Sequence, residues 1–263
     1  MRQSLLAATL MLAACSNAQE AEERQPAAPA AVPSPSPAPP AKTAAARLVE
    51  EKDDLLEFTY GWSAEAAAVP ELVARFEADM AKQRAEGRKM AEEDRDARGP
   101  DAPFHGHYFT KAWATMGGAG RLLSLAANIG TYTGGAHGMS GFEALLWDRE
   151  ARRAIEPEAL FVDPAAAWRM MEPVYCRALD RQRAEKRQEP LPLEGDGWMI
   201  ECPPLGDQVV VPVDADEDGR FERLRVLLGP YAAGPYAEGS YEVDVPVTGE
   251  LRALVKAQYR ESF

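Results

Sequence analysis

Few of the residues that most often perform catalysis or bind metals occur in this sequence. Its 263 residues include three cysteines and three histidines. It contains no Gly-x-Ser-x-Gly elbow for a serine nucleophile, no Gly-Lys-Ser/Thr phosphate loop and no His-Glu-x-x-His zinc motif. Carboxylates are so numerous that pairing any two as a glycosidase dyad would be arbitrary. These absences favour a binding protein over an enzyme, and no cofactor is indicated.

Positive charge is also scarce. The chain has 29 Lys and Arg against 42 Asp and Glu, a net charge of -13 at pH 7, and its pI is near 4.8. Nucleic acids and anionic lipid surfaces attract basic faces, so neither is an expected partner. An acidic surface suits a cationic partner, and it also serves solubility.

Long apolar runs are absent beyond the first residues, and no later run approaches the ~18 residues of a membrane-spanning helix. Residues 1–14 are typical of a signal peptide. The Leu-Ala-Ala before Cys15 resembles a bacterial lipoprotein signal, which implies that Cys15 carries the lipid. An ordinary signal peptide is the alternative. Because Ser16, not Asp, follows, we expect a lipid anchor at the periplasmic face of the outer membrane and no other membrane attachment.

The composition then divides the chain. Residues 15–47 are rich in Pro and Ala and read as an extended tether with little apolar surface to bury. We expect an N-terminal αβ subdomain over 48–150 and a C-terminal subdomain over 151–263. With Cys15 lipidated, Cys176 and Cys202 remain as an even pair in an oxidising compartment, which predicts a disulfide. A catalytic thiol or a metal site is the alternative, but no histidine lies near either cysteine in sequence.

Hydrophobic periodicity predicts an α+β fold with antiparallel sheets, two longer helices and a short C-terminal helix, in two subdomains. Helices are predicted from Pro70 to Gly99, over 165–186 and over 249–259. Strands are predicted over residues 56–62, 107–114, 121–132, 141–147, 197–201, 208–213, 221–228 and 241–245. Turns are expected at Gly117-Gly118 and Gly134-Gly135.

Three stretches carry a family resemblance. They are the aromatic strand at 58–60, the loop Tyr-Thr-Gly-Gly-Ala-His-Gly at 132–138, and the Gly-, Pro- and Tyr-rich segment at 229–239. Together they resemble the extracytoplasmic domain of RsiV-type anti-sigma factors, a module that also precedes the catalytic domain of PdaC-type peptidoglycan deacetylases. The resemblance covers about residues 50–263, and the part over 151–263 is the RsiV-like subdomain.

The resemblance implies an α+β domain at the cell envelope, and its RsiV-type members bind lysozyme. We carry over neither the anti-sigma role nor the deacetylase chemistry, because the segments that perform them are not recognisable in these residues. Glycine-rich loops and exposed tyrosines suit recognition; tight turns and ring packing would explain the same residues. The predicted binding residues are Tyr132, Thr133, Gly134, Gly135, His137, Tyr231 and Tyr236.

Two groups of residues offer possible metal ligands as an alternative to this prediction. His105, His107 and His137 would leave an open position on zinc if they converged, and a metal-dependent peptidoglycan hydrolase would follow. Asp214 to Gly219 matches the first half of a calcium loop, but the position of its bidentate Glu holds Arg225. An acidic hairpin turn explains that segment equally well.

The sequence therefore predicts a lipid-anchored periplasmic module that recognises a cell-wall component or a wall-degrading enzyme such as lysozyme. The zinc-dependent hydrolase and a structural envelope lipoprotein are the alternatives.

Overall fold

The computed structural model describes residues 44–99, 102–195 and 197–263, all within one compact unit, Lys42–Phe263. The predicted signal peptide, Cys15 and most of the predicted tether lie outside the described residues. No helix among the described residues has the length and apolar character needed to cross a membrane.

The secondary structure follows the α+β prediction, which is confirmed. The strands are β1 Arg47–Lys52, β2 Leu56–Trp62, β3 His107–Ala119, β4 Leu122–Tyr132, β5 Met139–Asp148, β6 Arg153–Ile155, β7 Val209–Val213, β8 Arg223–Leu228 and β9 Tyr241–Pro246. The α-helices are α1 Ala64–Ala67, α2 Pro70–Arg98, α3 Pro164–Arg187 and α4 Gly249–Leu254, and short 3₁₀ turns include Pro157–Leu160 and Ala257–Ser262.

Two sheets form the centre of the fold. One has the order β1-β2-β3-β4-β5-β6, and the other has the order β7-β8-β9. All pairs are antiparallel except β2 with β3, which is parallel. This pair departs from the prediction of purely antiparallel sheets. Its cause is α2, which connects the end of β2 to the start of β3 as a crossover, and such a connection makes the two strands parallel.

The layers run from α2 to the larger sheet, then to the smaller sheet and α3. Alternate residues of β4 show this: Leu123 and Leu125 pack in the cluster that contains Phe76 of α2, whereas Ala126 packs with Val211 and other residues of the smaller sheet. Each sheet therefore buries both faces over part of its length. The predicted boundary at residue 150 stays a prediction; β6, which follows it, pairs with β5.

Helix α3 begins and ends where its sequence predicts. The Asp163 carboxylate accepts a hydrogen bond from the Ala166 N–H at 2.9 Å, and Pro164 opens the first turn. Its buried positions recur every four residues; they are Ala167, Met171, Tyr175, Leu179 and Arg183. The apolar ones pack against residues of the smaller sheet. The predicted disulfide joins Cys176 on this helix to Cys202, ahead of β7.

Two local predictions were wrong. Residues 197–201 were predicted as a strand, but Gly197–Met199 forms a 3₁₀ turn. Gly117 and Gly118 lie inside β3, at a shift of register, instead of forming a turn. A Cβ on Gly117 would stand 2.6 Å from the Cβ of Asp214, so the glycine serves the close approach of the loop after β7.

Asp148, at the end of β5, joins several segments. It is 1% exposed and accepts hydrogen bonds from Arg121 at 2.9 and 2.8 Å and from the Tyr259 hydroxyl at 3.1 Å. Burial alone would raise the pKa of the Asp148 carboxyl, but hydrogen bonds from the Ala151 N–H, Arg121 and Tyr259 outweigh it and hold the pKa below its usual value. The carboxylate thus ties the C-terminal 3₁₀ turn to the larger sheet.

We expect loss of the disulfide to destabilise the fold. The Cys176→Ser/Cys202→Ser variant should lose about 3.5 kcal/mol of unfolding free energy, because the cross-link restricts the unfolded chain. Urea unfolding of the variant and of the oxidised protein measures the difference. The oxidised protein with added dithiothreitol is the control and should approach the variant. An unchanged midpoint in both would contradict the prediction.

We also expect stability to fall in acid through Asp148. Because the pKa of Asp148 is lower in the folded state than in the unfolded chain, its contribution to stability is complete above about pH 5 and is lost as the pH decreases further. Asp148→Asn should cost about 3 kcal/mol at pH 7 and should make unfolding free energy less dependent on pH below about 4. The exposed Asp96→Asn is the matched control. Equal acid slopes in the two variants would argue against this role.

Candidate functional site

The two glycine-rich loops meet in space. One connects β4 to β5 and carries His137; the other connects β8 to β9 and carries Tyr236. The His137 and Tyr236 rings stack with centroids 3.8 Å apart and an interplanar angle of 21°. The Tyr236 hydroxyl donates a hydrogen bond to the Gly138 carbonyl oxygen at 2.8 Å. A ring stack and a hydrogen bond therefore hold the two loops together.

The β4–β5 loop is fixed by its own backbone and rings. Gly134 and Gly135 have φ of 94° and 95°, values that favour glycine. The Tyr132 hydroxyl donates to the Gly135 carbonyl oxygen at 3.1 Å, and His137 Nδ1 lies 2.9 Å from the Gly138 carbonyl oxygen. Since a carbonyl oxygen only accepts, Nδ1 carries the proton in this contact, and His137 is held with its ring exposed.

The β8–β9 loop is anchored by a buried arginine on α3. The Arg183 side chain is 0% exposed. Its Nε donates to the Ala233 carbonyl oxygen at 2.8 Å, and Nη1 and Nη2 donate to the carbonyl oxygens of Ile200 and Glu201 at 3.0 and 2.9 Å. One guanidinium thus fixes the loop that carries Tyr236 and the segment that precedes Cys202.

The last turn of α3 adds a second anchor to the same loop. Arg187 forms a two-point ion pair with Glu238, at 2.8 and 3.1 Å, and Lys186 Nζ donates to the carbonyl oxygens of Glu238 and Ser240 at 2.7 and 2.6 Å. Burial raises the pKa of Glu238, but the hydrogen bonds from Arg187 and Tyr241 outweigh it, so the pKa of Glu238 lies below its usual value. Glu238 is therefore a charged partner for Arg187 at neutral pH.

Around the stacked pair lies a set of exposed or half-buried aromatic and apolar side chains. Tyr108 faces Tyr132 across β3 and β4, and their rings stack at 5.9 Å. Tyr108 reaches Gly138, where a Cβ would collide with its hydroxyl. Met139 and Tyr231 are 43% and 49% exposed. We name this set the aromatic surface; its members are Tyr108, Tyr132, His137, Met139, Tyr231 and Tyr236.

Tyr231 has an unusual backbone. Its φ of 70° lies in the left-handed region, which non-glycine residues rarely occupy. Its ring lies 5.6 Å from the Tyr236 ring. Such backbone strain is maintained only where neighbouring structure imposes it; two residues further along the loop, Ala233 is bound by Arg183. The strained conformation presents the Tyr231 ring at the edge of the stack.

All predicted binding residues lie in these two loops or at their edges. The structure brings Tyr132, His137, Tyr231 and Tyr236 into one surface, while Thr133, Gly134 and Gly135 shape the turn. Tyr108 and Met139 were not predicted from the sequence, although the alternation of Tyr108 with buried His107 on β3 was a signal for Tyr108. Arg183 was not predicted either, because no local pattern distinguishes a buried arginine on a helix from a solvated one.

The three histidines do not converge, so the zinc site weighed from the sequence is wrong. His107 is 3% exposed, and its Nε2 lies 3.2 Å from Asp94 Oδ2, while His137 stacks on Tyr236. Among the described residues, the only group of three or more possible metal ligands within 4.8 Å of one another is Asp214, Asp216 and Asp218. These carboxylates form the acidic turn between β7 and β8, where Asp214 accepts hydrogen bonds from the N–H groups of Asp218 and Gly219. The geometry fits both alternatives stated for this turn.

Residues 49–140 match the family model described as Deacetylase PdaC. A DUF3298 family protein from Pseudomonas aeruginosa PAO1 is similar in structure, with 17% identity, a TM-score of 0.49, and coverage of 81% of this chain and 92% of that chain. A DUF3298 family member from Bacteroides fragilis NCTC 9343 gives 16% identity, a TM-score of 0.47, and coverage of 82% and 94%. No curated protein matches significantly.

The fold and site define an α+β domain that presents an aromatic surface on two anchored loops. The match of residues 49–140 to this family model confirms the family resemblance inferred from the sequence. The matched segment includes the β4–β5 loop with His137.

Loss of the Arg183 anchor should destabilise the protein and loosen the Tyr236 loop. Arg183→Met leaves one buried and two partly buried carbonyl oxygens without their donor, so we expect a loss of about 3 kcal/mol of unfolding free energy. Amide hydrogen exchange should become faster over residues 229–240. The exposed Arg181 on the same helix is the matched control, and Arg181→Met should change neither quantity. Unchanged exchange in Arg183→Met would contradict the anchoring role.

Proposed function

We propose that this protein is a lipid-anchored periplasmic binding module, and that the aromatic surface recognises a wall-degrading enzyme such as lysozyme. The observation that supports it most is the joining of the two glycine-rich loops by the His137–Tyr236 stack. A cell-wall component is the other partner that the sequence predicts for such a module. The lipid on Cys15 would hold the module at the periplasmic face of the outer membrane.

The character of the surface favours a protein partner. Tyrosine and methionine are enriched at protein interfaces, and tyrosine provides contact area at a small cost in conformational entropy. Here the rings are already held by stacking, by the Gly138 carbonyl and by the anchors on α3. A partner would therefore bind side chains that lose little freedom on association.

The charge of the chain favours a cationic partner. A net charge of -13 attracts basic proteins over a range set by ionic strength and increases the association rate at low salt. Lysozymes are the wall-degrading enzymes that the family resemblance implies as ligands. The hydrolase alternative receives no support from the histidines, which lie apart.

The decisive measurement is lysozyme binding by the full-length chain in detergent. We expect retention on a lysozyme column at low salt, weaker retention at high salt, and a loss of affinity of about tenfold on Tyr236→Ala, because interface aromatics often contribute more than 1 kcal/mol. Met139→Ala should weaken binding, and Met170→Ala is its control, because Met170 is also exposed, at 39%, but lies on α3.

Two other outcomes of the binding experiment would change or contradict the proposal. Retention of solubilised peptidoglycan in place of lysozyme, with the same dependence on Tyr236, would keep the aromatic surface as the site and change the partner. No retention of either ligand by a folded protein would contradict the proposal. Circular dichroism of each variant confirms that its fold is intact.

A further inference from the structure

Within the part of the chain that the structure describes, strand β5 leaves much of one edge without a partner strand. On one side it pairs with β4 along its length, whereas on the other β6 covers only Leu146 to Asp148. The chain leaves the sheet after β6 because Glu156 is followed by Pro157, which lacks an N–H and opens a 3₁₀ turn. Among the described residues, no hydrogen bond outside the sheet ladders involves the backbone of residues 140–145.

A groove runs beside this edge, between the two sheets. Its volume is about 330 Å³, and it is lined by residues 142–146 of β5, by residues 154–158 and by residues 208–212 at β7. Phe142, Ala144 and Val209 pack against the small apolar cluster between the sheets. The groove therefore combines an apolar floor with a wall of backbone donors and acceptors. Such a wall is the template to which an extended chain adds as a new strand.

The charges around the groove favour a positively charged occupant. Its lining includes Glu143, Glu156 and Glu158 against a single basic residue, Arg75. Glu143 is partly neutralised by Lys111, whose Nζ lies 2.7 Å from it. The same ammonium also pairs with Asp79 at 2.8 Å. One lysine is therefore shared between two carboxylates, and the groove keeps an excess of negative charge.

We propose that this groove binds an extended, basic segment of a partner protein, which adds as a strand along residues 140–145 of β5. Alternate side chains of that segment enter the groove, and the others face solvent. The main-chain hydrogen bonds supply affinity, while the carboxylates favour lysine or arginine. This site shares no residue with the aromatic surface, although it begins directly after Met139, and it does not depend on the proposed recognition of lysozyme.

The test uses the full-length chain in detergent and a labelled peptide of alternating lysine and valine, eight residues long. Fluorescence anisotropy at low salt should show saturable binding. Two probes serve as controls: the same length of alternating glutamate and valine, and the lysine–valine peptide with N-methyl groups on alternate amides facing β5. Neither should bind, because the first reverses the charge and the second removes the strand hydrogen bonds. Hydrogen exchange should show slower exchange at residues 140–145 when the first peptide is bound.

Variants locate the site. Glu156→Gln/Glu158→Gln should weaken binding of the lysine–valine peptide about tenfold, an effect expected for two charge contacts. Glu50→Gln/Glu51→Gln on β1, at the opposite edge of the same sheet, is the matched control and should change affinity by less than about twofold. Glu143 is left unchanged because it pairs with Lys111. Absence of binding, equal binding of the N-methylated peptide, or slower exchange only at other strands would overturn the proposal.

Discussion

A guanidinium removed from solvent must have hydrogen-bond acceptors around it. The buried Arg183 side chain meets this need with carbonyl oxygens, and these contacts position much of the C-terminal half. Its donors reach carbonyl oxygens in two segments that are far apart in sequence, Ile200-Glu201 and Ala233. The first segment leads directly into the disulfide at Cys202, and the second lies in the loop that carries Tyr236. Removing either segment from its place would leave a buried charge poorly solvated, which is far more costly than losing an ordinary surface contact. Helix α3 therefore serves as the frame on which both segments are held.

The contact between the β4–β5 and β8–β9 loops also requires that the two sheets pack in one fixed orientation. The Ser124 hydroxyl on β4 donates to the Pro212 carbonyl oxygen on β7 at 2.7 Å, and Gly117 allows Asp214 to approach β3. These contacts fix the smaller sheet against the larger one. The loop after β8 then reaches the loop before β5, where Tyr236 can donate to Gly138. The aromatic surface is thus a product of tertiary packing between parts that are each regular on their own.

The difference between local elements and their tertiary packing explains which features could be predicted from the sequence. The alternation of residues 56–62 and the four-residue spacing on α3 report which face is buried, so the elements and the fold class followed from local pattern. The aromatic and glycine-rich loops were also recognised, and so was the disulfide pair. Residues 197–201 do not form the predicted strand. Arg187 and Arg183 bind the carbonyl oxygens of this segment, and such contacts override its strand propensity. The parallel β2–β3 pair, the burial of Arg183 and the contact of His137 with Tyr236 depend on residues distant in sequence, which no local window contains.

The anchors of the β8–β9 loop have a consequence for variation between related proteins. Arg183 and Lys186 bind Ala233, Glu238 and Ser240 through their carbonyl oxygens, which every amino acid possesses. Most substitutions at the exposed positions of this loop would leave those bonds in place. The shape of the loop therefore depends little on the side chains at its exposed positions. Descendants of such a protein could change what the loop recognises, one side chain at a time, while the framework beneath it stays folded.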